Sequence, residues 1–142
     1  IADATEGIAI LKGFQHRYPM PKSNANFMKD AAEGLTKDLF RHEMALYTDG
    51  ILYTGCAHNG LMNILSACPS NVNTVIGGFH MPDPILECYE DELNKSAQKL
   101  DDEYPHTTFY TGHCTGDTAF EIMKKHLGPR IKMFRCGQQF DV

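Results

Sequence analysis

Three histidines occupy similar local positions, each just beyond a short apolar stretch and in a turn that contains glycine. They are His58 in TGCAH, His80 in IGGFH and His113 in TGHCTG, and Cys56 lies two residues before the first of them. Neutral imidazole is the commonest side-chain ligand for zinc and related metals, and thiolate is another. These residue types in this repeated context predict a metal site formed by His58, His80 and His113, with Cys56 as a further candidate ligand.

The segments around these histidines predict short strands that alternate with helices, which is typical of an α/β fold. The predicted strands are 44–47, 51–54, 73–76, 107–111 and 131–134, and the predicted helices are 59–66, 84–100 and 117–127. Since the carboxyl ends of parallel strands meet at one edge of a sheet, we expect the three histidines to converge there although they are far apart in sequence.

Residues 12–42 have no periodic pattern, because prolines and asparagines interrupt them. We predict a long irregular loop here, with a short helix around residues 27–33, inside a single domain that covers residues 1–142. The chain starts at Ile1 rather than Met, and we therefore expect that this is not the natural amino terminus.

The composition excludes several classes of partner. The net charge of -5 and the pI of about 5.7 argue against binding to nucleic acid or to anionic membranes, which requires a basic surface. No apolar run approaches the roughly 20 residues of a membrane span. The cysteine count of 5 is odd and no CxxC pair occurs, so we expect free thiols in a reducing cytoplasm rather than a zinc knuckle or a disulfide framework.

Three blocks in this order, ALYTDGILYTGCAHNGLMNIL, VIGGFHM and YTGHCTGDTAF, resemble a branch of the metallo-β-lactamase superfamily. Members of that branch are metal-dependent hydrolases related to the dihydropterin ribofuranosyl-aminobenzene phosphate synthases. The similarity runs from about Leu39 to Phe140. It implies the carboxy-terminal half of an αββα sandwich, a mixed sheet with flanking helices, with a mono- or dinuclear metal site at one edge.

The resemblance also implies roles for single residues. His113 matches a late histidine that ligates metal, and the position where a strand delivers a ligand falls on either His58 or Cys56. His80 is implied as a ligand, as a partner of a ligand or as a substrate contact. The implied cofactor is a divalent metal, zinc in the first place, with iron or manganese as alternatives.

The start of the helix after the third histidine offers free backbone N–H groups, which suit an anionic group. We therefore predict substrate binding at Thr115 and Gly116, and the branch's phosphate chemistry agrees with a phosphorylated small molecule. No catalytic residue is assigned. The remaining histidines are expected to be structural surface residues; they are His16, His42, His106 and His126.

The HxHxDH motif that supplies most metal ligands in the superfamily is absent from this sequence. Because this motif is absent, we consider two functions. A complete protein would be a hydrolase whose metal-bound water attacks an ester or phosphoester of a small molecule. Alternatively, the chain is a non-catalytic fragment or association domain that forms a homo-oligomer or pairs with a missing amino-terminal half. A third hypothesis, thiol redox chemistry at Cys56 or Cys114, has no CxxC pair to support it.

Overall fold

A computed structural model describes residues 3–5, 7–83 and 87–139. Its strands are β1 (Asp3–Thr5), β2 (Ile8–Lys12), β3 (Met28–Ala31), β4 (Gly34–Lys37), β5 (Met44–Thr48), β6 (Ile51–Thr54), β7 (Thr74–Gly77), β8 (Thr108–Thr111) and β9 (Ile131–Met133). Its α-helices are α1 (Leu61–Leu65), α2 (Glu87–Glu103) and α3 (Asp117–Leu127), and short 3-10 helices occupy Lys22–Asn26 and Gly128–Arg130.

Seven strands form one mixed sheet in the order β1-β2-β5-β6-β7-β8-β9. The strands from β1 to β6 pair antiparallel, whereas β6, β7, β8 and β9 are parallel. Each parallel pair is joined through one α-helix. The carboxyl ends of β6, β7 and β8 therefore lie side by side, and the turns that carry the three histidines start from this edge.

The hairpin between β5 and β6 turns through two residues, Asp49 and Gly50. Both have positive φ, 49° and 81°, and the flanking residues Thr48 and Ile51 pair across the strands. An Asp-Gly dipeptide favours this left-handed two-residue turn because its twist matches that of the strands. The hairpin predicted from the sequence is confirmed.

One face of the sheet forms the core. Leu52, Val75 and Phe109 are fully buried there and pack with side chains of the helices in one apolar cluster. This burial is the main source of stability for the sheet, since each fully buried large apolar side chain contributes about 1.5–3 kcal/mol.

The opposite face of the sheet is apolar as well, and we call it the open sheet face. Ile10 pairs with Leu46, Leu46 with Tyr53 and Tyr53 with Ile76, so these four side chains form a row across four strands. Ile10 and Tyr53 are exposed, as are Ile8 and Met44 on the same face.

Two predictions for the segment 12–42 are wrong. In the segment 27–33, which was predicted as a helix, Met28–Ala31 form strand β3 and residues 32–33 form the turn into β4. The segment is also not an irregular loop throughout, because it contains the 3-10 helix Lys22–Asn26 and this hairpin. Strands β1 and β2 were not expected from the sequence.

The other elements lie close to their predicted positions. Helix α3 has the predicted bounds, 117–127, and strand β6 the predicted bounds, 51–54. The helix predicted at 84–100 is described from Glu87 to Glu103, and residues 84–86 lie outside the described residues. Within the described part of the chain, no helix is long and apolar enough to cross a membrane.

Candidate functional site

The three histidine-bearing turns at the carboxyl edge share a backbone feature. Each contains one residue other than glycine with positive φ, namely Ala57 at 57°, His80 at 49° and His113 at 55°. Left-handed conformations of such residues are uncommon and cost of order 1 kcal/mol or more, and they cluster at functional sites. The backbone of all three turns is therefore held in an unusual form at the same edge of the sheet.

The structure brings two of the predicted ligands together, His58 and His80, whose ring centroids are 4.0 Å apart. Phe40 stacks on His58 at 4.2 Å with parallel rings. Phe27 contacts both imidazoles edge-on, at 5.4 Å from each. We call Phe27 and Phe40 the aromatic cage, because they place apolar surface against the imidazole pair.

Asn24 fixes the orientation of His58. Its side-chain carbonyl oxygen lies 3.0 Å from Nδ1 of His58, and its amide nitrogen donates to the backbone carbonyl of His58 at 2.6 Å. Because a carbonyl oxygen only accepts, Nδ1 carries the proton and Nε2 carries the lone pair. A metal-binding histidine typically has this arrangement, with one nitrogen donating to a fixed oxygen and the other free to coordinate.

Glu43, which is 9% exposed, holds the turn that carries His58. One carboxylate oxygen accepts the backbone N–H of His58 at 2.7 Å, and the other accepts the backbone and side-chain N–H groups of Asn59, each at 2.7 Å. The side-chain oxygen of Asn59 in turn lies 2.7 Å from Nε2 of His16. His16, expected to be a surface residue without a role, therefore belongs to the support of this turn.

His80 is 6% exposed, and both of its ring nitrogens are buried without a hydrogen-bond partner. Burial, with a smaller contribution from His58, lowers the pKa of His80 to about 4. Burial is also the main cause that lowers the pKa of His58. Both imidazoles are therefore neutral at pH 7, which is the form that binds metal.

The other two predicted ligands are placed differently. His113 is exposed and Cys56 is half-buried. The neighbouring thiol of Cys114 is half-buried as well. Its sulfur accepts the backbone N–H of His80 at 3.2 Å, and its S–H donates to the carbonyl of Cys56 at 3.8 Å. Burial raises the pKa of Cys114 to about 12, so this group stays a thiol.

Over residues 3–5, 7–83 and 87–139, no group of three or more His, Cys, Asp and Glu side chains is arranged to hold a metal ion. The structure thus joins His58 and His80 and does not join His113 or Cys56 to them as one ligand set. The assignment of His113 and Cys56 as metal ligands stays a prediction.

The predicted substrate-binding residues have partners within the protein. The hydroxyl of Thr115 accepts the backbone N–H of Phe79 at 2.9 Å and lies 2.7 Å from the hydroxyl of Thr111. A Cβ at Gly116 would lie 2.6 Å from the carboxylate of Asp83, so this carboxylate already lies against the start of α3. Substrate binding at Thr115 and Gly116 stays a prediction.

Sequence reasoning did not identify four of the residues that build the site, which are Asn24, Phe27, Phe40 and Glu43. Asn24 and Phe27 lie in the segment predicted as an irregular loop, and their contacts with His58 span more than 30 residues of sequence.

Comparisons with known proteins agree with this architecture. No family model matches the chain. The crystal structure of a metal-dependent hydrolase of the β-lactamase superfamily matches with a TM-score of 0.81 and 27% sequence identity, over 99% of this chain and 56% of that chain. An uncharacterized protein of Methanocaldococcus jannaschii is 40% identical over 47 residues, which make up 32% of this chain and 18% of that protein.

The likeness to the solved hydrolase confirms the predicted resemblance and the predicted fold class. The chain has the α/β fold of about half of that hydrolase, with a mixed sheet and flanking helices. It spans 56% of the length of the solved hydrolase and 18% of the archaeal protein.

Proposed function

We propose that this chain is part of a metal-dependent hydrolase that acts on an ester or phosphoester bond of a small molecule. The observation that carries the proposal is the His58–His80 pair at the carboxyl edge of the parallel strands, in a fold shared with a metal-dependent hydrolase of the β-lactamase superfamily. The bond type and the small-molecule substrate, phosphorylated or not, come from the sequence resemblance.

The described residues fit a divalent metal in part. His58 presents an oriented lone pair, and the ring nitrogens of His80 have no hydrogen-bond partner within the protein. A catalytic zinc normally takes three protein ligands, and the described residues do not group a third with these two. We therefore propose His58 and His80 as two ligands, with His113 and Cys56 as candidates for a third.

The metal is proposed to be zinc, with iron or manganese as alternatives, and it would act as a Lewis acid toward the scissile bond. The chain's own residues prepare the site in two ways. Asn24 and Glu43 hold the ring and the backbone of His58 in place. Phe27 and Phe40 pack against the imidazoles, and the burial to which they contribute favours the neutral form.

Hydrolysis of 4-nitrophenyl acetate, 4-nitrophenyl phosphate and bis(4-nitrophenyl) phosphate tests the proposal, with the purified chain supplied with zinc, manganese or ferrous iron in turn. We expect metal-dependent release of nitrophenol from at least one ester. His58→Ala should lower the rate at least tenfold, whereas His106→Ala, at an exposed position, should leave it unchanged. Equal metal-dependent rates in wild type and His58→Ala would overturn the proposal.

The open sheet face favours a second candidate function, in which the chain works as an association domain. Ile10, Leu46, Tyr53 and Ile76 form a continuous apolar row that the described residues leave without a covering layer. Exposed apolar patches of this kind mark interaction sites. We propose that the face is covered by a second copy of the chain or by a complementary amino-terminal half.

Sedimentation velocity of the purified chain tests this second candidate. We expect a dimer or larger assembly, and Tyr53→Glu should shift it toward monomer because the new charge would be buried in the contact. The matched control is Tyr89→Glu on helix α2, outside the open sheet face. A monomer at all concentrations, or an assembly unchanged by Tyr53→Glu, would contradict association through this face.

A further inference from the structure

A cavity of about 710 Å³ lies between the segment 18–26 and the helix α2. The predicted substrate-binding residues Thr115 and Gly116 do not belong to its lining. A volume of this size falls within the range of small-molecule sites, which are concave, mainly apolar and few in each protein. The cavity reaches His80, so it adjoins the His58–His80 pair.

The walls of the cavity are mainly apolar. They include Pro19, Pro21, Leu61, Met62, Leu93 and Leu100. Tyr18 and Tyr89 also line it, and lysine ammonium groups lie over their rings at 4.7 and 5.9 Å.

The charged side chains around the cavity balance one another. Three are lysines and three are acids: Lys22, Lys95, Lys99, Asp83, Asp91 and Glu92. Lys22 forms an ion pair with Glu92 at 3.5 Å, and the ammonium of Lys99 lies over the ring of Tyr18 at 4.7 Å. A wall with equal numbers of both charges does not favour a strongly charged ligand, because each charged group on the ligand would meet repulsion as well as attraction.

His80, which is 6% exposed, belongs to the lining. Both of its ring nitrogens are buried without a hydrogen-bond partner among the described residues. Buried polar groups without partners are rare in native structures, and here these atoms belong to the proposed metal site that adjoins the cavity. His80 also has positive φ, which the surrounding structure must maintain.

We infer that this cavity is a binding site for an uncharged and largely apolar small molecule, with His80 as part of its lining. The apolar walls hold the body of the ligand, and the balanced charges give the cavity no preference for anions or cations. This inference goes beyond the proposed hydrolase function, since binding in the cavity requires neither metal nor turnover.

The methionines of the chain allow a direct test by NMR of ε-methyl-labelled protein, with 2-naphthol as the uncharged probe and 2-naphthalenesulfonate as its anionic counterpart. Met62 and Met81 line the cavity, whereas Met44 lies on the open sheet face and Met28 on the β3–β4 hairpin. We expect 2-naphthol to shift the Met62 and Met81 signals with a Kd of about 1 mM or tighter, and to leave Met44 and Met28 in place. The sulfonate should bind at least threefold more weakly.

A substitution that fills the cavity provides a second test. Ser96→Trp places a large ring into the cavity from α2 and should abolish the shifts, whereas Glu90→Trp, on the same helix outside the cavity, should leave them intact. The inference is overturned if 2-naphthol produces no shifts, if the largest shift is that of Met44, if Ser96→Trp binds as wild type does, or if the sulfonate binds more tightly.

Discussion

The two imidazoles at the edge of the sheet are held neutral by their surroundings. Phe27 and Phe40 cover them, and burial lowers the pKa of both. A neutral imidazole can offer a lone pair to a metal, whereas a charged one cannot. The apolar side chains of the aromatic cage therefore favour the proposed metal binding although none of them is a ligand.

Because His80 is neutral in the folded protein, the free energy of unfolding depends on pH in the acidic range. In the metal-free protein His80 has a pKa of about 4, against 6.5 for an ordinary histidine. Below pH 6.5 the unfolded chain binds a proton at this position that the folded chain does not, so the free energy of unfolding decreases as pH falls. We predict a loss of about 2 kcal/mol from this residue between pH 7 and pH 5.

Urea denaturation in the presence of a chelator, repeated at several pH values, measures this loss. His80→Asn removes the titrating ring and retains a residue that tolerates positive φ. Its stability should depend on pH less than half as steeply as that of the wild type. A slope equal to that of the wild type would show that His80 is not the titrating group.

Glu43 anchors the His58 turn through three hydrogen bonds. Glu43→Gln replaces one carboxylate oxygen by an NH2 group that faces N–H donors, so buried donors lose their acceptor. We predict a loss of about 2–3 kcal/mol in the free energy of unfolding, measured by urea denaturation. The control Glu33→Gln, at an exposed position, should change stability by less than about 0.5 kcal/mol, and an equally small effect at Glu43 would contradict this role.

At the scale of the elements, the turns after β6 and β7 differ in how closely they are packed. A Cβ at Gly78 would lie 2.5 Å from the sulfur of Cys114, whereas a Cβ at Gly55 would meet nothing within 4 Å. Gly78→Ala should therefore cost about 1–3 kcal/mol through overpacking, and Gly55→Ala should be nearly neutral. Thermal denaturation compares the two variants.

A second substitution, at Cys114, tests whether the contact with this residue causes the loss of stability in Gly78→Ala. Cys114→Ala removes the sulfur atom that the new methyl group would meet, so the double variant Gly78→Ala with Cys114→Ala should recover at least half of the stability lost. If the two losses add instead, the contact between these residues is not the reason for the glycine.

The elements that the sequence predicted correctly are those whose local pattern and tertiary packing agree. Helix α3 has apolar positions at helical spacing and ends at Gly128, whose φ is 58°, and its bounds were predicted to the residue. The Asp49-Gly50 turn likewise carries its own conformational preference. Such segments specify their structure largely by themselves.

The elements that the sequence did not predict depend on contacts far along the chain. All residues of β3 and β4 are exposed, so no alternation of buried and exposed side chains marks them as strands. Asn24 belongs to the site because it contacts His58, which lies 34 positions away in the sequence. The convergence of His58 and His80 was predictable because parallel strands share an edge, but the aromatic cage around them was not.

At the scale of the whole molecule, the sheet is packed on one face and open on the other. The fold matches about half of a metal-dependent hydrolase. The described residues leave the open sheet face exposed, and they group His58 with His80 but add no third ligand. In the second candidate function, a second copy of the chain or a complementary amino-terminal half is proposed to cover the apolar row.

The central claim, that His58 and His80 form this chain's part of a metal site, is tested most directly by metal content. Protein purified without chelator would be subjected to elemental analysis, with His58→Ala, His80→Ala and His113→Ala beside His106→Ala as control. We predict about one zinc, iron or manganese per chain in the wild type and the control, and less than a tenth of that in His58→Ala and His80→Ala. Equal metal content in these two variants and the wild type, or no metal in the wild type, would contradict the claim.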